Sequence, residues 1–412
     1  MHVRRSIIDT PQLDSALAWR MVGVSFAASF VAFGVVYSFG VFLKPVMTDL
    51  GSSSSATSTW YATASFGFYF LGPFTGAFSD RYGPRAATAV SAVAIGLGLV
   101  ATAFVDNVWI GCVTYGLGVG IGAACAHIPT FANLGGWFER SRTQAFGIAV
   151  AGTGCGMLVV PPLAASLIDL LGWRSAMGWL GAASAIVLGI SAMLVRPPPR
   201  ASNTAAAGPV GPIIRSAPFL WLYASWTLGT MALFVPLVFL PAFAVHNGAD
   251  PIAASWLISI LGGASILGRV AIGYVDKTIG VVPGFKVAVL AMAASYLLWL
   301  ALPSFAWNVI FAAVLGTAYG VRIALVAPVL IELFGAKGLG ALLGAFFTAS
   351  GIAGLLGPLL AGAIFDLSGS QASAVLTAVA MGFLGLLAAL PLRSGSPPRA
   401  SSPQIHARLP SE

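Results

Sequence analysis

The sequence predicts an all-α integral membrane protein, with twelve transmembrane helices in two six-helix, pseudo-symmetric bundles. Three observations carry this. The 412 residues are 58% hydrophobic and only 8% charged, where soluble chains average about 25% charged, and the mean hydropathy is +0.92. Apolar runs recur at the length that a hydrocarbon core of about 30 Å demands, roughly 20 helical residues. The basic residues between these runs fall almost wholly in alternate loops, and so on one side of the membrane.

The first run, 20–43, follows Arg4, Arg5 and Arg20. It is too long for a signal-peptide core and reads as an uncleaved first span. Five more runs follow at 56–78, 86–105, 108–134, 143–168 and 173–195. The second set lies at 217–245, 252–275, 284–303, 305–333, 338–365 and 371–391. The fourth and tenth are long enough to tilt or to extend past the core. RPPPRASNTAAAGPVGPIIRSAP (196–218) is the longest polar, proline-rich interruption. It divides the chain into an N-terminal bundle (1–195), a linker (196–216), a C-terminal bundle (217–391) and a polar Pro/Ser-rich tail (392–412).

Of twenty Lys and Arg, sixteen lie on the side of the termini, including Arg81, Arg85, Arg140, Arg142, Lys277 and Lys337, and only Lys44 and Arg174 on the other. By the positive-inside rule both termini are cytoplasmic. The net charge of +8 therefore reports topology, and no nucleic-acid partner is expected. Cys112, Cys125 and Cys155 fall within apolar runs and read as packing residues. The sequence shows no metal-ligand spacing and no nucleotide fingerprint, so no cofactor is expected.

A shift of 197 residues places Gly154 on Gly351, Pro161 on Pro358, Ala164 on Ala361, Asp169 on Asp366 and Gly172 on Gly369. Two bundles in the same orientation, related by an axis along the membrane normal, is a transporter pattern.

The two remaining arginines are Arg269, in SWLISILGGASILGRVAIGYV, and Arg322, in VIFAAVLGTAYGVRIALVAPVL. Arginine stays protonated, and at a helix centre it costs about 2.5–3.5 kcal/mol even on lenient insertion scales. Such residues face a bundle interior or a watery cavity and mark substrate paths. No carboxylate lies buried beside them, so a substrate anion is the natural partner. The competing readings are structural. Arg269 could reach the membrane surface, where Asp276 is about 10 Å along the helix, and Arg322 could pack on carbonyls or an aromatic face. Tyr319 is one turn before Arg322 and shares its face. It is a candidate substrate contact or a packing tyrosine. His127 is the one histidine within a span; it could carry a coupling proton or hydrogen-bond within the packing. Tyr115, about three turns earlier in the fourth span, is a cavity candidate with the same alternative.

GAFSDRYGPR (76–85) closes the loop between the second and third spans. It resembles the Gly-x-x-x-Asp-Arg-x-Gly-x-Arg motif of the major facilitator superfamily, and GYVDKTIG (273–280) is a degraded second copy. GWFERSRTQAFGIAVAGTGCG (136–156) and SGIAGLLGPLLAGAIFDLSG resemble the monocarboxylate transporter family within it, with related features in oxalate–formate exchangers. Asp14 and Trp19 stand near the acidic residue and Trp that this family carries ahead of its first helix, without the accompanying glycines.

The resemblance implies the major facilitator fold and a substrate cavity between the bundles. It implies that Arg269 grips a carboxylate, as a two-pronged charge-assisted pair. In animal members an aspartate one turn earlier is linked to proton coupling; here it is Ser265, taken as a candidate substrate contact. Aromatic contacts from the fourth and tenth spans point to Tyr115 and Tyr319. Asp80, Arg81, Arg85, Arg140, Arg142 and Asp276 are candidates for closing the cytoplasmic gate.

The expected protein is a monomeric, multi-pass secondary transporter of a cell inner membrane, not an enzyme. It would move small monocarboxylates such as lactate or pyruvate with protons, by rocking of the bundles. Exchange of dicarboxylates such as oxalate and export of amphiphiles are the rival transport readings, the second a poor match to buried arginines. A membrane-embedded enzyme would need a nucleophile–base or metal constellation that is missing. A channel or sensor would show no saturable counterflow.

Overall fold

A computed structural model describes residues 13–199, 211–271, 278–301, 304–335 and 339–393. The described residues outside loops are helical throughout. The first span is α1 (Ala16–Leu50), opened by the Ser15 side chain, which accepts from the Ala18 N–H, and closed by Gly51 in the left-handed conformation. The second is split into α2 (Ser54–Phe70) and α3 (Gly72–Tyr82), with Pro73 in the first turn of α3. α4 is Pro84–Thr102 and α5 is Val108–Gly135. α5 contains a π-helical turn at Cys112–Leu117.

The fifth and sixth spans are the two arms of α6 (Arg142–Leu194), separated as expected by a non-helical Gly172 (φ 79°, ψ 160°). The gap in hydropathy was legible, but a glycine alone makes the turn. The short α7 (Gly211–Ile214) precedes α8 (Ala217–His246) and α9 (Pro251–Val270). α9 ends before the expected 275, and residues 272–277 lie outside the described ones. α10 is Val281–Ala301. The tenth span breaks at Leu325 into α11 (Phe305–Ala324) and α12 (Val326–Phe334), ahead of Pro328. α13 (Leu339–Ser368) and α14 (Gln371–Ala389) complete the chain.

Ten of these helices are long and apolar enough to cross a membrane. Counting the two arms of α6 separately, and α2 with its continuation α3, gives the twelve crossings that the sequence predicts.

Small residues set the helix spacing. A Cβ on Gly152 or Gly156 of α6 would collide with the Phe26 or Phe30 carbonyl of α1, the small-residue approach typical of membrane helices. Gly83, in the motif loop between α3 and α4, has φ 87°. The repeat is visible in backbone geometry: Gly172 and Gly369 both have positive φ. Ser65 of α2 meets Gly354 of α13, and Gly262 of α9 meets Met157 of α6. The 197-residue shift carries one contact onto the other.

The core divides unevenly. One large cluster draws on both halves, from Phe39, Trp60 and Tyr61 to Phe234, Phe239 and Trp299. Nearer the face that carries the described chain ends, the terminal face, the halves have separate clusters. One is built on Ala18, Leu134, Trp137 and Phe138, the other on Phe219, Trp226, Phe285 and Phe346. The two halves are thus joined through mid-membrane and at the far face, and have independent cores toward the terminal face.

Candidate functional site

Midway along the helices, where the shared core begins, α1, α2, α5 and α8 enclose a small cavity. Its aromatic walls are Phe33, Tyr37, Tyr61, Phe68, Tyr69 and Phe234. Phe33 meets Phe68 edge-on (5.3 Å between centroids, 88°), and Tyr61 meets Phe234 of the other half edge-on (5.8 Å, 72°). Both are favoured aromatic geometries. The Tyr37 hydroxyl neighbours those of Tyr69 and of Tyr319 from α11. The Tyr61 hydroxyl is buried and has no hydrogen-bond partner, an uncommon condition for a buried polar atom.

His127 of α5 adjoins this cavity toward the terminal face. Its Nδ1 is 3.1 Å from the Ser29 hydroxyl of α1. Its ring is flanked by Phe33 (4.9 Å), Phe68 (5.9 Å) and Phe131 (4.4 Å), so two cavity walls are also histidine contacts. Arg269, in the last turn of α9, lies within electrostatic range of His127. Its Nε and Nη1 are buried and find no hydrogen-bond partner among the described residues. A guanidinium presents five donors, and leaving charged donors dry and unpaired is expensive. An anion at this point would satisfy them.

Arg322 is differently housed. It is fully buried, and its guanidinium packs against α8. Nη2 donates to the carbonyls of Trp226 (2.9 Å) and Ser225 (3.3 Å), Nη1 donates to the Thr230 hydroxyl (3.4 Å), and Cζ stands 4.1 Å from the Trp226 ring centroid. Gly229 makes room for it: a Cβ there would be 3.1 Å from Nη2. Arg322 is thereby held by carbonyls, a hydroxyl and an aromatic face of α8, with its Nε left without a partner.

The other sequence candidates divide likewise. Tyr319 is brought beside the cavity through Tyr37. Tyr115, on the π-helical turn, is buried inside the N-terminal half. Its hydroxyl donates to the Val35 carbonyl (3.3 Å), and its ring stacks on Trp60 and packs against Phe39. The Ser265 hydroxyl donates back to the Gly262 carbonyl of its own helix (2.7 Å), and its backbone backs onto Gly320. Neither lines the cavity. Tyr37, Tyr61, Tyr69, Phe33 and Phe68 do, and sequence reasoning missed them.

The gate candidates lie at the terminal face. Asp80, Arg81, Arg85 and Arg140 are exposed, and the Arg81 guanidinium packs on the Tyr82 ring (5.3 Å). The Arg142 side chain and all of Asp276 lie outside the described residues.

Asp14 clasps the loop that carries Arg140. Its carboxylate accepts from the N–H groups of Ser141 (3.0 Å), Arg140 (3.2 Å) and Glu139 (3.3 Å), its own N–H donates to the Trp137 carbonyl (3.0 Å), and Trp19 meets Phe138 edge-on. These bonds, with that from Ser141 foremost, hold the Asp14 carboxyl below its ordinary value. The acid and Trp ahead of the first helix are thus tied to the Trp-Phe motif ahead of the fifth.

At the far face the halves are clasped by Asp366. From the end of α13 it accepts the N–H of Ser54 (3.0 Å) and of Ser55 (2.9 Å), the first turn of α2. A carboxylate from one half thus caps a helix of the other, where the helix dipole favours negative charge. Arg174 closes the same face within the N-terminal half by pairing with Asp49 (2.9 Å) and Asp106 (3.4 Å).

The geometry finds its counterpart among known proteins. The family model of the Major Facilitator Superfamily matches residues 25–283 and 231–410. Monocarboxylate transporter 13 of Bos taurus is 31% identical over 395 residues, covering 92% of this chain and 90% of that protein. The MFS transporter asaE of Aspergillus flavus is 28% identical over 373 residues, covering 88% and 83%. Among solved structures, a D-xylose–proton symporter superimposes with a TM-score of 0.73 at 19% identity, covering 93% of this chain and 98% of that one. The chain belongs to the major facilitator superfamily, which makes it a multi-pass membrane transporter and not an enzyme. Within that superfamily it falls in the monocarboxylate transporter-like family.

Proposed function

We propose that the protein is a secondary active transporter of small organic anions, with monocarboxylates as the substrate class. The observation that carries this is the pair of buried, unpartnered donors on Arg269. Arg269 binds the carboxylate as a charge-assisted pair. His127 holds the coupling proton once a carboxylate bound to Arg269 offsets that arginine's charge, which makes the transport symport with protons. The name of the Bos taurus relative supports the substrate class.

Transport proceeds by rocking of the two bundles. The far-face clasp of Asp366 on α2 and the separate cores toward the terminal face support a state closed at one end and open at the other. The excess of basic residues on the terminal side supports a cytoplasmic location for both termini, in a cell inner membrane, with the exposed motif residues Asp80, Arg81 and Arg85 forming part of the opposite closure.

The test is uptake of labelled carboxylates into proteoliposomes of the purified protein. An inward proton gradient is expected to drive accumulation in wild type and to fail in Arg269→Ala. Full uptake by Arg269→Ala would overturn the reading. Uptake driven by internal anion and indifferent to a pH gradient would replace symport with exchange.

A further inference from the structure

We propose that Ser29 is the positioning residue of the proton site: its hydroxyl oxygen accepts the Nδ1–H of His127, so that the lone pair which takes up the proton is that of Nε2. This rests on the reading of His127 as the holder of the coupling proton.

The first observation is where the Ser29 hydroxyl points. A helix serine can bond back to a carbonyl of its own helix, one turn earlier. Ser38, Ser58, Ser265 and Ser295, all buried, do so at 2.7–2.9 Å. Ser29 is fully buried too, yet its hydroxyl crosses from α1 to Nδ1 of His127 on α5, at 3.1 Å.

The second is what surrounds the rest of the ring. Phe33, one turn after Ser29, meets it edge-on at 4.9 Å, Phe68 of α2 meets it edge-on at 5.9 Å, and Phe131, one turn further along α5, lies 4.4 Å away. None of the three can exchange a proton. Ser29 and Phe33 thus hold the imidazole from one face of α1, the serine by a nitrogen and the phenylalanine by the ring. The third observation is access. His127 is only partly buried, whereas the Ser29 that meets Nδ1 is wholly so. Nε2 has no hydrogen-bond partner among the described residues, and it is the nitrogen left for a proton.

Charged neighbours of the ring are few. α2 and α5 carry no Asp, Glu, Lys or Arg, and those of α1 (Arg20, Lys44 and Asp49) stand about 13 Å or more along the helix from Ser29. Tyr37 and Tyr69 pack behind Phe33 and Phe68. Arg269 of α9 is the cation within electrostatic range. Which imidazole nitrogen carries the proton of the neutral ring is set by the bond that the other makes. When Nε2 gains its proton, the existing bond from Nδ1–H to Ser29 becomes charge-assisted, and such bonds are roughly twice as strong as neutral ones. The serine therefore favours the protonated ring and keeps it oriented while the proton goes on and off.

The experiment measures uptake of a labelled monocarboxylate into proteoliposomes against external pH, for wild type, Ser29→Ala, Ser29→Thr and His127→Asn. Counterflow at equal pH is the control. Ser29→Ala should move the midpoint of proton-driven uptake to lower pH by about half to one unit, the difference between a charged and a neutral hydrogen bond, with counterflow kept within about twofold. Ser29→Thr, which keeps the hydroxyl, should restore the midpoint. In protein carrying ring-nitrogen-labelled histidine, the His127 signals are those lost in His127→Asn. They should show Nδ1 protonated and Nε2 bare in the neutral wild-type ring, and mixed tautomers in Ser29→Ala.

A midpoint and a tautomer that ignore Ser29→Ala, while His127→Asn abolishes proton-driven uptake, would overturn the role of Ser29 and leave His127 standing. A neutral wild-type ring with its proton on Nε2 would overturn the direction of the bond. A shift that Ser29→Thr fails to reverse would overturn the role as well, because the hydroxyl would not be its source. Proton-driven uptake that survives His127→Asn would overturn the reading of His127 and this inference with it.

Discussion

Arg269 and Arg322 both interrupt apolar helices of the C-terminal half, yet their surroundings differ in kind. Around Arg322 the protein supplies two backbone carbonyls, a hydroxyl and the face of Trp226. Around Arg269 it supplies no hydrogen-bond partner for Nε and Nη1 among the described residues. The desolvation of Arg322 is largely answered from within, by partners for both Nη groups and the face of Trp226, with Nε alone left without one. That of Arg269 is left for a bound anion to answer. An intramembrane arginine is thus the stronger functional signal where more of its donors are left over; Arg322, with both Nη groups partnered, joins two helices.

The largest expected effect tests the open member of the pair. Truncating one partner of a buried charge pair typically costs about 2–5 kcal/mol, so Arg269→Ala should weaken carboxylate uptake by about thirtyfold or more. Its thermal stability should stay at or above that of wild type, because unpaired buried charge is removed. A fall in melting temperature with uptake retained would break the contrast.

Arg322 should show the reverse pattern. Replacing a buried charged group by an apolar one of similar volume is often neutral or stabilising, so Arg322→Met should keep both its stability and its relative uptake of different carboxylates. Arg322→Ala should lose about 2–5 kcal/mol through the cavity left between α8 and α11. Thermal unfolding in detergent, paired with uptake of labelled carboxylates, separates the two. A shift in carboxylate preference in Arg322→Met would return this residue to the binding site.

The sequence makes the two arginines look alike because it displays charge against hydropathy and nothing of what faces it. Arg322 is silenced by Gly229 and Trp226, some ninety residues away and on another helix. The twelve crossings were legible because hydrophobic length and basic-residue bias are local properties. The cavity walls were not, because their meaning depends on helix rotation. Phe33 and Tyr37 are one turn apart and Tyr61 and Tyr69 two turns apart, which puts each pair on one face. No residue of the four carries a charge to draw attention. Asp366 left a fainter trace, as the repeat partner of Asp169. Among the described residues only one of these equivalents caps a helix across the halves: the first turn of α9 is capped by its own Asp250.

That clasp gives the next smaller effect, and it sharpens the contrast between the arginines from the far face. With Asp366 bound to α2, the halves are held together there, and Arg269 is left on the side where their cores separate. An exposed anion at a helix N-terminus is worth about 0.3–1 kcal/mol. Asp366→Asn should therefore lengthen the distance between the α1–α2 and α13–α14 loops in a severalfold larger fraction of molecules, as read by spin labels on those loops. A substrate that needs both halves should oppose the shift, and Arg269→Ala should remove that opposition while Arg322→Met should not. An unchanged distance distribution would show that the apolar packing of α2 on α13 suffices alone.

The smallest effect concerns Asp14, whose clasp is local to the terminal face of the N-terminal half. Its carboxyl is held below the ordinary value of 3.8 by the N–H of Ser141 and its neighbours. A lowered folded value means the clasp contributes fully above that ordinary value and is lost as pH falls through the lowered one. At neutral pH the loop carrying Arg140 should therefore be docked, and acid should release it. Asp14 has φ 55°, which asparagine tolerates well, so Asp14→Asn removes the charge without straining the backbone. In wild type, amide exchange at 139–141 should accelerate below that window relative to the base-line pH trend; in Asp14→Asn it should be fast already at neutral pH. Carboxylate affinity should be untouched, because the clasp reaches neither arginine. A change in affinity would mean that docking of this loop is transmitted to the cavity, through α6 and its contacts with α1 and α9.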